Sequence, residues 1–408
     1  VNRDRIKDWL EAARPAMVEL EALLTSIPAI APESGGEGEW KKAEALDAWL
    51  RKRGLPPAEW HPAPDPRVPA GKRPNLVLTI PGKEKRAVWF MSHLDVVPPG
   101  DAALWTSDPW TLVERDGRII GRGVEDNQQG LTASVFAALA YRELGIVPER
   151  TTKLLFVADE EVGSAKGVRF LLEERSLFAA GDLILIPDGG AADGSEIEVA
   201  EKNLLWLKVR TTGKQCHGSV PDSGRNAFLA ACDAALRLNA LEGSFFAERD
   251  PLFDPDRSTL SPTKKEANVP NVNTIPGEDV FYMDCRILPR YPLAAALAEI
   301  RKVLDAVEAE RGVKIEIDPA QRVESRATPA DAPIVRELKE AVRRVYGIEA
   351  HPIGIGGGTV AAYLRNAGHD CAVWCRIADN AHEPNEYALV DNLVGDARVM
   401  AELMGTGD

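Results

Sequence analysis

The chain has 408 residues, more than one hydrophobic core usually serves, so two domains are the default expectation. Hydrophobic residues make up 45%, and 49 basic against 63 acidic side chains leave a formal charge of -14, which excludes nucleic acid as the main partner because phosphate binding needs a basic surface. Five cysteines (Cys216, Cys232, Cys285, Cys371 and Cys375) are odd in number and lack Cys-x-x-Cys spacing, excluding a complete disulfide framework and a thiolate zinc site.

Residues 1–20 interleave Arg3, Asp4, Arg5, Lys7, Asp8 and Glu11 with apolar positions at helical spacing, unlike a secretory signal. No apolar run reaches membrane-spanning length, so a cytoplasmic protein with no membrane partner is expected. A second helix is predicted over 43–53, stopped by Gly54 and Pro56-Pro57. Strands follow at 76–80 and 87–91, the latter running into Ser92-His93-Leu94-Asp95. Gly121-Arg122-Gly123-Val124-Glu125-Asp126-Asn127 then precedes a helix over 130–144 with Leu131, Val135 and Leu139 on one face. A strand over 153–158 delivers Asp159-Glu160-Glu161-Val162-Gly163-Ser164, a helix carries 168–172, and a strand over 183–186 ends at Pro187-Asp188-Gly189. This alternation predicts an α/β domain with a mainly parallel, doubly wound sheet.

The rhythm changes near Asn203. A strand over 204–211, a helix over 226–240, strands over 268–275 and 280–286, a helix over 293–310 and a strand over 313–317 give the order βαββαβ of a ferredoxin-like module. Residues 242–266 show no clear period and read as a surface excursion. The expected domains are therefore 1–202 with 319–408, and an inserted 203–318. After it come a helix over 332–346, Gly354-Ile355-Gly356-Gly357-Gly358-Thr359, a strand-like 371–375, the loop Ala381-His382-Glu383-Pro384-Asn385-Glu386 and a closing helix over 390–404.

Taken singly, the polar residues at these strand ends have ordinary readings. His93 with Asp95 can be a hydrogen-bonded pair, Asp126 a helix cap, Asp188 a turn former and His382 a surface residue. Jointly they stand at successive ends of one predicted sheet, where ligand sites of open α/β sheets gather. Two histidines and three carboxylates form an oxygen and nitrogen donor set that suits zinc, and less selectively cobalt or manganese. If Asp126 bridges two divalent ions, with His93 and Asp188 on one and Glu161 and His382 on the other, the site remains net positive, acidifies a bridging water and polarises a carbonyl. Asp95 would then accept the other ring N–H of His93. Glu160, one position from Glu161, is left to move the proton. Asp159 has no chemical assignment on these grounds.

With these residues in this order, nearly the whole chain resembles the dinuclear zinc amidohydrolases: aminoacylases, acetylornithine deacetylase, succinyl-diaminopimelate desuccinylase, carboxypeptidase G and carnosinase-like dipeptidases. The motifs that carry it are Ser92-His93-Leu94-Asp95, Gly121-Arg122-Gly123 with Asp126, Asp159-Glu160-Glu161-Val162-Gly163, Pro187-Asp188, His217-Gly218-Ser219-Val220-Pro221 with Asn226-Ala227, Gly357-Gly358-Thr359 and Ala381-His382. The resemblance implies the metal roles above, Glu160 as general base, a cis Asp126-Asn127 peptide, and an inserted domain acting as lid and homodimer surface. It also implies that His217 reaches the partner subunit's site to stabilise the oxyanion. Asn273 and Arg286 match lid positions that hold substrate carboxylates, although Asn273 can equally shape its turn and Arg286 can equally pair with Asp284. Gly358 and Thr359 resemble a substrate-contacting loop.

Two features depart from the pattern. Gln128-Gln129 stand where relatives often have Lys, and Asp188 where desuccinylases and deacetylases more often have Glu. The expected activity is hydrolysis of an amide bond in an N-acyl amino acid of the N-succinyl-diaminopimelate or N-acetylornithine type. The alternatives are a dipeptidase or carboxypeptidase of the same family and, in another class, a catalytically silent binding or scaffold protein, against which the intact ligand set and Glu160 argue.

Overall fold

A computed structural model describes residues 2–405. The chain forms two compact units, Val1–Val199 with Thr328–Pro352 and Tyr363–Asp408, and Ala200–Ala327 with Ile353–Ala362.

The first unit is built on an eight-stranded sheet in the order Glu59–Trp60, Leu76–Ile80, Arg150–Val157, Glu84–His93, Leu183–Ile186, Cys371–Val373, Glu196–Glu201, His351–Ile355. Its four central strands run parallel, while Leu76–Ile80 and Glu196–Glu201 join antiparallel. Central strands buried on both faces read as continuous apolar runs, as in Leu183–Ile186. The helix Gly130–Glu143 is buried from Gly130 to Tyr141 and packs against Val390–Met404. Being apolar all round, it is the most enclosed helix of the unit. Three neighbouring parallel strands end together, His93 lying opposite Val157 and Phe90 opposite Leu185. Their carboxyl ends therefore bring His93, the turn at Asp159 and Asp188 to one edge. The expected first helix is two, Asn2–Ala12 and Arg14–Thr25, divided ahead of Pro15.

The second unit carries a four-stranded antiparallel sheet in the order Thr259–Lys265, Glu278–Ile287, Asn203–Thr212, Lys314–Val323. With helices Ala227–Asn239 and Leu293–Arg311 this is the ferredoxin-like order, second strand, third, first, fourth. One expected strand lies elsewhere. Thr259–Lys265, inside the segment read as an excursion, pairs with Glu278–Ile287, whereas of 268–275 only Thr274–Ile275 is extended and pairs with Cys216–His217. The reason is its edge position: only Leu260 of the seven residues is buried, and Pro262 is tolerated there, so no apolar alternation marks the strand. The unit also reaches beyond 203–318. Its last strand continues to Val323, and the glycine-rich segment returns to it through Lys202 N–H to Ile355 O (3.0 Å) and Gly354 N–H to Leu252 O (2.6 Å).

Candidate metal centre

Asp126 stands between two histidines. Its Oδ1 lies 2.8 Å from His93 Nε2 and its Oδ2 lies 3.0 Å from His382 Nε2. On one side His93 Nε2 is 3.5 Å from Asp188 Oδ1; on the other His382 Nε2 is 3.1 Å from Glu161 Oε2. His93, Asp126 and Asp188 thus form one group of converging donor atoms and Asp126, Glu161 and His382 a second, with Asp126 common to both.

Each donor is held by a buried partner that lies far off in the sequence. Glu386, fully buried, accepts the N–H groups of Gly123, Glu125 and Asp126 at 3.0, 3.0 and 3.1 Å, which fixes the backbone that presents Asp126. Its charge is balanced by Arg122, whose guanidinium also donates to His382 O (3.2 Å) and Glu383 O (3.3 Å). The same pair therefore ties the His382 loop to the Asp126 loop and supports His382 in the left-handed region at φ +67°. The Asp126-Asn127 peptide is cis. Asn127 donates to Asp188 Oδ1 (2.7 Å) and Pro187 O (2.6 Å) and accepts the His93 N–H at 3.2 Å, so one amide orients two donors.

Asp95 does not hold His93 in the expected manner. The His93 Nδ1 meets the Asp95 backbone carbonyl at 3.0 Å, with the carboxylate more distant at 3.6 Å. That carboxylate accepts the Glu160 and Glu161 N–H groups, one on each oxygen, from the turn at the neighbouring strand end. The ring is still oriented, by a carbonyl. Asp159 also acquires a role: buried at φ +67°, it accepts from Arg73 Nη1 (3.1 Å) and Lys166 N (2.8 Å), while Arg73, itself fully buried, donates to both oxygens of Glu39. Gln128 and Gln129, the two unexpected residues, are buried and engaged, Gln128 accepting from Thr25 (3.0 Å) and Gln129 donating to Asp396 (2.9 Å) and Arg376 O (2.6 Å).

Excess negative charge makes this a cation site. Hydrogen bonds to Asp126 and Glu161 push His382 up to about 10, and the nearby carboxylates of Asp188 and Asp126 raise His93 well above its usual range against the opposing effect of burial. Glu161 Oε1, buried, has no hydrogen-bond partner, which a metal bond would supply. Two imidazoles and three carboxylates fit a pair of divalent ions.

Residues 89–406 match the family model described as peptidase family M20/M25/M40. The chain belongs to this family. It is a metallohydrolase, a metal-dependent amidohydrolase or peptidase, of a group whose members include dinuclear metal-binding peptidases. An uncharacterized metallohydrolase of Methanococcus maripaludis is 36% identical, covering 95% of this chain and 98% of its own. The succinyl-diaminopimelate desuccinylase of Paracoccus denitrificans is 28% identical over 86% of this chain and 88% of the relative. Human carnosine dipeptidase 1 shares the fold of this M20 chain with a TM-score of 0.70, 17% identity and 98% of each chain covered.

The remaining expected residues belong to the second unit. His217 is exposed, its Nδ1 lying 2.8 Å from Ser219 Oγ and 3.2 Å from the Ser219 backbone nitrogen. Asn273 lies on the facing segment, its carbonyl accepting the Gly218 N–H at 2.7 Å and its side-chain oxygen bonded by Asn271. Arg286 makes the alternative pairing: Nε and Nη2 go to Asp284 at 2.7 and 3.1 Å, and Nη1 to Gly356 O at 2.9 Å. Thr359 donates to Glu201 Oε1 (2.8 Å), beside Gly358. Among the described residues, no helix is long and apolar enough to cross a membrane.

Proposed function

We propose that the protein hydrolyses the amide bond of an N-acyl amino acid bearing a free carboxylate, as a desuccinylase or deacetylase does, using two zinc ions in the cytoplasm. His93 and Asp188 would hold one ion, Glu161 and His382 the other, and Asp126 both. Bound there, the ions supply an acidified water and a polarised carbonyl. Glu160 takes a proton from the attacking water and returns it to the leaving amine. Its carboxyl is pushed well above the usual range by burial, and further by the charges of Asp188 and Glu161, as suits a group that must hold and release a proton. Asp95 keeps Glu160 in place through its main-chain N–H. The second unit would act as the lid: His217 would offer its Nε2–H to the developing oxyanion, and Asn273, Arg286, Gly358 and Thr359 would line the substrate carboxylate.

The Asp126-centred donor set, in a chain 28% identical to a desuccinylase over most of its length, is the observation that supports this reading most. Asp188 in place of the desuccinylases' Glu favours the second reading, a dipeptidase or carboxypeptidase. Turnover of N-succinyl and N-acetyl amino acids against a dipeptide panel separates the two. At least tenfold higher kcat/KM on the acylated amino acids is expected, and the reverse order would establish the peptidase.

A homodimer through the second unit is part of the proposal. Phe228, Leu229, Cys232 and Leu236 form an apolar stripe on the outer side of the Ala227–Asn239 helix, with Leu229 53% and Leu236 72% exposed. Leu236→Asp is expected to convert a dimer into monomers by light scattering, and a dimer unaffected by it would place the interface elsewhere.

A further inference from the structure

Trp40 and Trp60 meet in a half-exposed corner of the first unit, their ring centroids 5.1 Å apart and their planes inclined at 47°. The corner opens on a cavity of about 850 Å³ whose other polar lining is Glu44, Asp47, Arg51 and Lys72. Each indole N–H is committed to a carboxylate: Trp40 Nε1 donates to Glu44 at 2.9 Å and Trp60 Nε1 to Asp47 at 3.3 Å. The acids are thereby fixed at the rim, and the indole N–H groups point away from the ring faces, where the negative quadrupole that attracts cations lies.

The Trp40 face already holds a cation. Lys72, an exposed residue of the short Lys72–Arg73 strand, places its ammonium 4.6 Å from the ring centroid. The two carboxylates of the lining, Glu44 and Asp47, are matched in number by Arg51 and Lys72; Asp47 pairs with Arg51 at 2.5 Å, while Glu44 accepts from the Trp40 indole and forms no ion pair among the described residues. An aromatic corner with a spare carboxylate is the arrangement that recognises organic ammonium ions. None of these residues belongs to the metal centre.

We propose that the Trp40–Trp60 corner is a binding site for an alkylammonium group, with the Lys72 side chain as its tethered competitor. The ligand is either a free small cation or the amine of a lysine-like chain.

The test is a titration of the full-length protein with choline and with n-butylammonium, followed by saturation-transfer NMR. Weak saturable binding to the wild type is expected, about tenfold tighter for Lys72→Ala, which removes the competitor, and about tenfold weaker for Trp40→Leu. Tighter binding of choline supports a free quaternary cation, and tighter binding of n-butylammonium supports a lysine-like chain. Glu44→Gln, on an exposed helix position, provides a second comparison should Trp40→Leu fold poorly, with a several-fold loss expected. Absence of saturable binding of both probes to Lys72→Ala, or affinity undiminished by Trp40→Leu or Glu44→Gln, would overturn the site.

Discussion

Asp95 holds Glu161 by its main chain: Oδ2 of Asp95 accepts the Glu161 N–H at 3.0 Å while Oδ1 accepts the Glu160 N–H at 3.1 Å. One buried carboxylate thus holds the main chain of two adjacent acids. Asp95→Asn preserves the shape but turns an acceptor into a donor facing an N–H. A 10- to 100-fold loss of metal affinity is expected, on the order of other second-layer changes around metal ligands. Competition with a chromophoric chelator measures it, and unaltered affinity would mean that the turn needs no such support.

Glu160→Gln separates proton transfer from metal binding. Turnover is expected to fall about 10²- to 10⁴-fold, with metal content by elemental analysis unchanged. Loss of metal together with activity would make Glu160 a ligand.

Glu386 gathers three N–H groups and one guanidinium in the interior. Glu386→Gln leaves Arg122 without its buried counter-charge and turns an amide toward N–H donors. A stability loss of roughly 3–5 kcal/mol is expected in urea. A midpoint equal to that of the wild type would remove Glu386 from the account of how the Asp126 loop is held.

Burial pushes Asp396 up to about 7, despite the hydrogen bonds it accepts from the Arg376 N–H and from Gln129. Below about pH 4 the carboxyl is protonated in both states and contributes no pH dependence. Between about pH 4 and 7 the folded chain keeps a proton that the unfolded chain has released, so stability falls as pH rises, by roughly 4 kcal/mol in all. Above that range both states are ionised and the loss is constant. Asp396→Asn removes this slope, so wild-type minus variant stability measured by denaturation should decline from pH 4 to 7 and then level. A difference flat across that range would contradict the assignment.

How much was legible depended on whether a residue announces its neighbours. His93, Asp126, Glu161, Asp188 and His382 each follow a strand, open a helix or sit in a polar loop, and their types alone suggest a shared donor set. The residues that orient them give no such sign. Glu386 meets Arg122 across 264 positions and Arg73 meets Glu39 across 34, and nothing in the local sequence of either pair marks its partner. Asn127 stood out through the resemblance as half of a cis peptide, but not as the amide that positions both His93 and Asp188. The sheet order of the second unit follows from βαββαβ, yet the edge strand Thr259–Lys265 escaped because an edge with one buried residue has no periodicity to detect. Arg286 could be read either way from its surroundings, and in the structure its donors go to Asp284 and Gly356.

The central claim, that Asp126 serves two cations at once, is tested most directly by counting bound metal. Isothermal titration of the metal-free protein with zinc should give two equivalents per chain, falling to one in His382→Ala and to none of comparable affinity in Asp126→Ala. One equivalent in the wild type, or two retained in Asp126→Ala, would contradict it.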